Sequence, residues 1–376
     1  MSSIFTRMRD SYVSIRGFHT NRKLVVIESD DWGSIRMPSR QTFDRLIALG
    51  DNPQDDAFLS NDCLESQEDL LELFEVLNSV KDFKGNPVVI TANFATANPD
   101  FDKINFKAGI YNFEPFFETY NRYYGTNKVL EQIKVGESLG CFKPQLHCRE
   151  HMNVGYWMKS LKEQRKDAVL AFSNHMIGIG CSFAPNNRFG YMDAFNTSHS
   201  TDSDLEKILT DAHNIFKDAF GYQSETFVAS CYVWNFELEK TLCKLGIRFI
   251  QSSVWQNYPV LKNYEQTYKR KIHFTGEKNK LGQLYSVRNC TYEPAYYQNP
   301  IECANRCFYE IEKSFAQNKP AIICSHRFNY IGTINTQNRI NNLIGLETLL
   351  KKIKLAHPDV EFLTSPELFA IMERET

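Results

Sequence analysis

Short apolar, β-branched runs alternate with amphipathic helical patterns from about residue 24 to the end of the chain, and this restricts the fold more than any other feature. Strands are expected near 24–29, 87–92, 144–147, 176–181, 226–230, 247–252, 283–288, 320–325 and 360–363. Between them lie segments with an apolar stripe at helical spacing, such as LESQEDLLELFEVLNSV, SDLEKILTDAHNIFKDAF, NFELEKTLCKLG and RINNLIGLETLLKKIKLA. Parallel strands need crossover helices, so sustained alternation implies a parallel sheet, and its length favours closure into a barrel. The chain therefore reads as one α/β domain over 1–376, with a core of about 22–370 and a helix over 1–20. No Pro/Gly/Ser-rich linker, low-complexity tract or repeat divides it. The connections 94–143 and 182–202 are long enough to cap the carboxyl face as insertions.

Chemistry concentrates at two expected strand ends. Asp30 and Asp31 directly follow the run Leu24-Val25-Val26-Ile27, and His147 and His151 stand in PQLHCREHMN. Adjacent acids usually mark a solvated turn or a helix cap. At a strand's carboxyl end, where α/β folds carry their sites, they suit a different role. Two unpartnered carboxylates at close range repel, and a divalent metal removes that conflict. An open catalytic metal site takes two histidines and a carboxylate as ligands and needs a base beside the bound water, so one aspartate can ligate while its neighbour accepts the proton. The i, i+4 spacing of the histidines puts both on one side of a helix, or lets them converge where a strand passes into one.

Composition bounds the alternatives. The chain is 376 residues long, 42% hydrophobic and 23% charged, with a formal net charge of −2, so it can bury a large core and offers no basic field to nucleic acid or an anionic membrane. No stretch reaches the length of a membrane span, and the N-terminus lacks the continuous apolar core of a signal peptide. The ten cysteines, including Cys148 between the two histidines and Cys303 and Cys307 on one helix face, show no CxxC pair and read as reduced thiols of a cytoplasmic protein. Aromatic residues make up 13% of the chain and cluster at 111–125 and 291–297, which suits either core packing or the apolar faces of sugar rings.

Asp-Asp after the first strand, His-x-x-x-His after a later one and a lone His326 in AIICSHRFNYIG together resemble the polysaccharide deacetylases of the NodB type. The resemblance implies a deformed, TIM-like (β/α) barrel of about seven parallel strands with capping insertions. It also implies a divalent metal, zinc by preference, and removal of acetyl groups from an N- or O-acetylated sugar or glycan. Carried over residue by residue, it makes Asp30 the base, Asp31, His147 and His151 the metal ligands, and His326 the acid that protonates the leaving group. Trp32, Asn93, Arg149, Tyr232 and Trp234 lie at or just past strand ends and are candidates for contact with the sugar, with ring stacking expected of Trp234.

The chain departs from the family pattern at several positions. Glu28-Ser29 precede the acids and Trp32-Gly33 follow them, where the family has Thr-Phe and Gly-Pro. The third motif, expected near ETFVASCYVWN, lacks the arginine that pairs with the base, and Trp255 stands without its usual aspartate. Another cation must orient Asp30: Arg149, Arg288 and Arg36 are the candidates, with Arg149 preferred for its place between the histidines. His147-Cys148-Arg149-Glu150-His151 also fits the His-x-x-Glu-His pattern of inverted zinc proteases, with Glu150 as base. That reading leaves Asp30, Asp31 and His326 without a task. A catalytically degenerate glycan-binding barrel and a non-haem iron oxygenase are further alternatives.

Overall fold

The structure is a computed structural model that describes residues 9, 12–179, 189–197, 200–262, 265–297 and 299–375. Among the described residues nine parallel strands form the main sheet. They are β1 (Leu24–Trp32), β2 (Ile90–Ala95), β3 (Phe142–Cys148), β4 (Thr226–Val228), β5 (Phe249–Ser252), β6 (Leu284–Val287), β7 (Cys290–Thr291), β8 (Ala321–His326) and β9 (Glu361–Leu363). Their order is β6-β5-β4-β3-β2-β1-β8-β7, with β9 on the lower part of β1. β6 and β7 are almost continuous in the chain, yet β6 pairs with β5 and β7 pairs with β8. The segment 284–291 thus joins the two ends of the sheet and curls it into the deformed (β/α) barrel expected from the sequence.

The helices form where the sequence supplies both an apolar stripe and a cap. Capping boxes start two of them, Ser66 with Asp69 before Gln67–Ser79 and Thr201 with Asp204 before Asp202–Phe220. The first packs with Pro300–Ala316 and Thr336–Ala356 against the outer faces of β1, β2 and β8, burying Ile27, Ile90, Phe94 and Ile323 among Leu73, Ile311 and Leu346. The second covers β3 to β5, with Leu209 and Phe216 against Leu146 and Ile250.

Strand alternation divides the barrel interior into layers. At the amino end Leu24, Val26, Phe249, Leu284 and Ile322 meet Leu368, Phe369 and Met372 of the C-terminal helix Ser365–Glu375, which plugs the barrel. Higher up, the inward residues become polar. Gln145 accepts from the backbone and hydroxyl of Thr226, and Gln251 Nε2 donates to Asn93 and Thr226. These bonds, with Ser365 of the C-terminal helix donating to Glu28 and Thr91, give the carboxyl end a rigid floor.

Three expectations need correction. Residues 176–179 form no strand: Met176 and Ile177 are buried apolar side chains in a turn-rich segment after the helix Lys166–Ser173, and 180–181 lie outside the described residues. The second strand lies at Ile90–Ala95 rather than 87–92. A long antiparallel hairpin, Trp255–Lys262 with Glu265–Ile272, occupies a region that reads as a connection. The insertion 94–143 folds as a short hairpin, Ala97–Pro99 with Phe113–Pro115, followed by helices Phe116–Tyr124 and Lys128–Ser138. Much of the 182–202 insertion and half of the expected first helix, residues 1–8, 10 and 11, fall outside the described residues. No helix among the described residues is long and apolar enough to cross a membrane.

Candidate metal centre

Two irregularities in the sheet aim the ligands. The β1–β2 register shifts between Ser29 and Trp32, and Asp31 adopts a left-handed conformation with φ of +76°. In a regular strand Asp30 and Asp31 would face opposite sides. The bulge inserts an extra residue and turns both acids toward the barrel mouth. A left-handed aspartate is strained backbone, and such strain collects where a site requires it. A second shift, between Phe94 and Ala95 on β2, falls opposite His147 and Cys148 on β3.

His147 sits on β3 and His151 in the turn before the helix Val154–Lys162. Their Nε2 atoms converge on one atom, Asp31 Oδ1, at 3.5 and 3.3 Å. Donors about 2.0–2.1 Å from a tetrahedral ion lie roughly 3.3–3.4 Å apart, so the spacing is that of three ligands around one centre. Buried Asp31 Oδ1 and His147 Nε2 have no hydrogen-bond partner, an expensive arrangement unless a cation completes it. His147 Nδ1 donates to the Val228 carbonyl at 2.7 Å, which leaves the Nε2 lone pair pointing inward. Burial pushes the His151 imidazole down to about 3, so it is neutral and able to ligate. Arg36 Nη2 occupies the other oxygen of Asp31, at 3.3 Å, while its Nε donates to Asp62. The residues present therefore fit a divalent metal.

The cation that holds Asp30 is Arg288. Its Nη1 donates to Asp30 Oδ2 at 2.6 Å and its Nη2 to Oδ1 at 2.8 Å, while Nε reaches Glu28 Oε2 at 2.7 Å. Asn93 Nδ2 adds a bond to Asp30 Oδ1 at 2.7 Å and another to Gln251. Burial alone would raise the Asp30 carboxyl, but the guanidinium and its fork of hydrogen bonds outweigh this and hold Asp30 well below the usual carboxylate range. Glu28 moves the other way, raised by burial against the pull of Arg288.

Arg149, the cation preferred from the sequence, is not the partner of Asp30. It lies between Glu150 and Asp211, with its guanidinium 4.1 Å from the Phe113 ring centre. This arrangement also removes Glu150 from the role of base, because Glu150 accepts from Arg149 and from the Tyr111 hydroxyl and takes no part in the Asp31, His147 and His151 cluster.

His326 ends β8, two positions beyond Cys324 and in register with Asp30 of β1. Its Nδ1 donates to Glu293 Oε1 at 2.5 Å, and Asn329 holds the other oxygen of Glu293 at 2.6 Å. Burial pulls the His326 imidazole down, but the Glu293 carboxylate, its hydrogen bond and the more distant Asp31 push it well above the ordinary histidine value. Its side chain is 25% exposed, enough to meet a ligand.

The two tryptophans do not reach the mouth. Trp32 has 0% exposure and packs on Phe94 and Phe142 beneath the outer helices, because the extra residue of the bulge moves it to the outward face. Trp234 is also buried, donating to Glu239 Oε1 and stacked on His273. Tyr232 lies at the rim, part-exposed, with its hydroxyl accepting from Arg288 Nη1 at 3.1 Å. Beside the metal ligands a narrow cleft of about 30 Å³ opens between Ser34, Arg36, Leu59, His151, Ile177 and Tyr191. Arg288, Glu28, Gln251 and Glu293 complete the site. Only Arg288 had a signal in the sequence, as one of three candidate cations.

No family model matches this sequence, and no curated protein does. Solved structures match over nearly the whole chain. A protein assigned as a polysaccharide deacetylase of Pseudomonas aeruginosa PAO1 is 9% identical, with 94% of this chain and 92% of that one covered and a TM-score of 0.50. One so assigned from Mycobacterium smegmatis is 11% identical, covering 95% and 93% at a TM-score of 0.45. A CE4 family pseudoenzyme of Bacillus anthracis is 11% identical, covering 93% and 66% at 0.41. At such identities the first establishes a shared fold, and the two weaker likenesses add nothing to it.

Proposed function

We propose that this chain is a divergent polysaccharide deacetylase of the NodB type, a metal-dependent hydrolase that removes an acetyl group from an N- or O-acetylated sugar or glycan. The observation that carries the reading is the convergence of His147 and His151 on Asp31, with Asp30 clamped by Arg288 at its side. A divalent ion held by Asp31, His147 and His151, zinc by preference for that donor set, supplies Lewis acidity toward the acyl carbonyl and acidifies the attacking water.

The chain's own residues do the rest. Asp30 is kept ionised and fixed in place by Arg288 and Asn93, so it is ready to take the proton that the water loses. His326 is kept protonated by Glu293 and gives that proton to the departing nitrogen or oxygen. Tyr232 stands at the rim beside Arg288, and a narrow cleft opens next to His151. The missing motif arginine favours a degenerate, non-catalytic barrel; Arg288, just past the end of β6, places a cation on Asp30 in its stead and supports the catalytic reading.

The test is acetate release from a panel of N- and O-acetylated sugars, both free and nucleotide-linked, by the metal-loaded protein. Release is expected, with severe loss in Asp30→Asn. His326→Ala should also lose turnover while keeping its metal. Full-rate release by Asp30→Asn, or loss in His326→Ala of the ion held by Asp31, His147 and His151, contradicts the assigned roles. Peptide hydrolysis without any acetate release refutes the proposal as a whole.

A further inference from the structure

Among the described residues a second cluster of metal-ligating side chains lies at the barrel mouth, formed by Glu293, Cys324 and His326. Cys324 and His326 are two apart on β8, so alternation turns both toward the barrel interior. Glu293 follows β7, the neighbour of β8. One donor atom from each residue lies within 4.8 Å of the others. Cys324 is a free thiol, and the part-exposed His326 gives an ion a way in from the mouth.

We infer that Glu293, Cys324 and His326 form a second, weaker site for a thiophilic divalent ion, and that zinc in excess binds there and stops turnover by capturing His326. Inhibition rests on the role proposed above for His326; binding does not.

The donor set decides which ions fit. Thiolate, imidazole and carboxylate together suit zinc, cadmium or cobalt, whereas magnesium and calcium want oxygen alone. The surroundings support the ligands: Asn329 Nδ2 orients the second oxygen of Glu293, and Arg288 Nη1 donates to Cys324 Sγ at 3.4 Å. Arg288 is already paired with Asp30 and with Glu28, which offsets its charge toward the ion. Binding displaces the proton of the Cys324 thiol and the proton on the His326 nitrogen that ligates, and both pass to solvent. The ion takes the lone pairs so freed, and no redox change occurs. Here the donors already have partners, His326 with Glu293 and Cys324 with Arg288, whereas Asp31 Oδ1 and His147 Nε2 have none, so occupancy follows that of the Asp31, His147 and His151 site.

Cobalt separates the two sites. A thiolate ligand gives cobalt a charge-transfer band in the near ultraviolet, and the Asp31, His147 and His151 site contains no sulfur. Titrating metal-free protein with cobalt should bring up the band after the first equivalent in the unaltered chain. In Asp31→Ala, where the other site is lost, the band should appear from the first equivalent. Cys324→Ala and Cys324→Ser should not show it. The unaltered enzyme should lose activity by about 10-fold or more in excess zinc, and Cys324→Ala should keep its basal activity and resist. Absence of the band in the unaltered chain, or its persistence in both Cys324 variants, overturns the site. A band without zinc inhibition overturns the inhibitory half. If no acetate is released by any form, the deacetylase reading fails while the band still decides the site.

Discussion

Arg288→Lys keeps a positive charge at the centre of the site but replaces a planar fork with a single point of donation. The fork makes three charge-assisted bonds, at 2.6 and 2.8 Å to Asp30 and 2.7 Å to Glu28. A lysine ammonium in this buried position can serve one carboxylate well and leaves the other short of a partner. Each hydrogen bond to a charged group contributes about 1.5–3 kcal/mol, and a broken buried pair costs about 3–5 kcal/mol, so Arg288→Lys should lose about 3 kcal/mol of stability and Arg288→Met more. The effect on pH dependence has a definite sign. Arg288 holds the Asp30 carboxyl low, so Asp30 adds stability above its unfolded value of about 4, and that gain disappears only as pH falls through the depressed folded value. In Arg288→Lys the Asp30 value should climb, so that the proposed base is protonated at higher pH and an acid limb enters the pH–rate profile where the unaltered protein should be flat. Adding Glu28→Gln removes one of the competing carboxylates and should restore part of the stability without restoring the fork on Asp30. Urea unfolding and acetate release against pH measure both effects. An Arg288→Lys protein with unchanged stability and an unchanged profile would refute the reasoning.

Further consequences follow from other contacts. Glu293→Gln removes the main upward push on His326, so the alkaline limb of the pH–rate profile should move to lower pH; an unmoved limb excludes His326 as the acid. In the unaltered protein His326 adds stability that is complete below about pH 6.5 and lost as pH rises through its raised value, and urea unfolding should show that loss vanish in Glu293→Gln. Trp234→Ala should cost about 3–5 kcal/mol through the cavity it leaves, with KM unchanged at temperatures where the protein is folded; a rise in KM without loss of stability would restore the stacking role. Arg327→Met takes the shared guanidinium from the buried Asp62 and Glu65, leaving Asp62 with Arg36 and Glu65 with neutral donors, and should destabilise by about 3–5 kcal/mol in urea unfolding; a neutral result shows that Arg36 and the neutral donors suffice.

Much of the barrel is legible in the sequence because its strands carry apolar runs and its helices carry stripes and caps. Asp30, Asp31, His147, His151 and His326 could be picked out because they cluster at strand ends in recognisable spacings. The partners that tune them are harder to read. Arg288 and Glu293 lie in a stretch with no motif, and closure of the barrel through residues 284–291 is what brings them to β1 and β8. Glu28 and Gln251 belong to a polar layer inside the barrel, which period-two reasoning takes for a solvent face. Trp32 is the most instructive error. Simple alternation from Asp30 points it inward, and the bulge at Asp31, a matter of backbone register, reverses it. Residues 176–179 show the converse, a short apolar run that is buried without joining the sheet.

The central claim is that Asp31, His147 and His151 hold a metal, and elemental analysis of the purified chain tests it most directly. Measured in the Cys324→Ala background, so that only this site is counted, the protein should carry about one zinc-like ion per chain, and adding Asp31→Ala should abolish it. Retention of the ion without Asp31, or failure to take up any ion after reconstitution, would contradict the account.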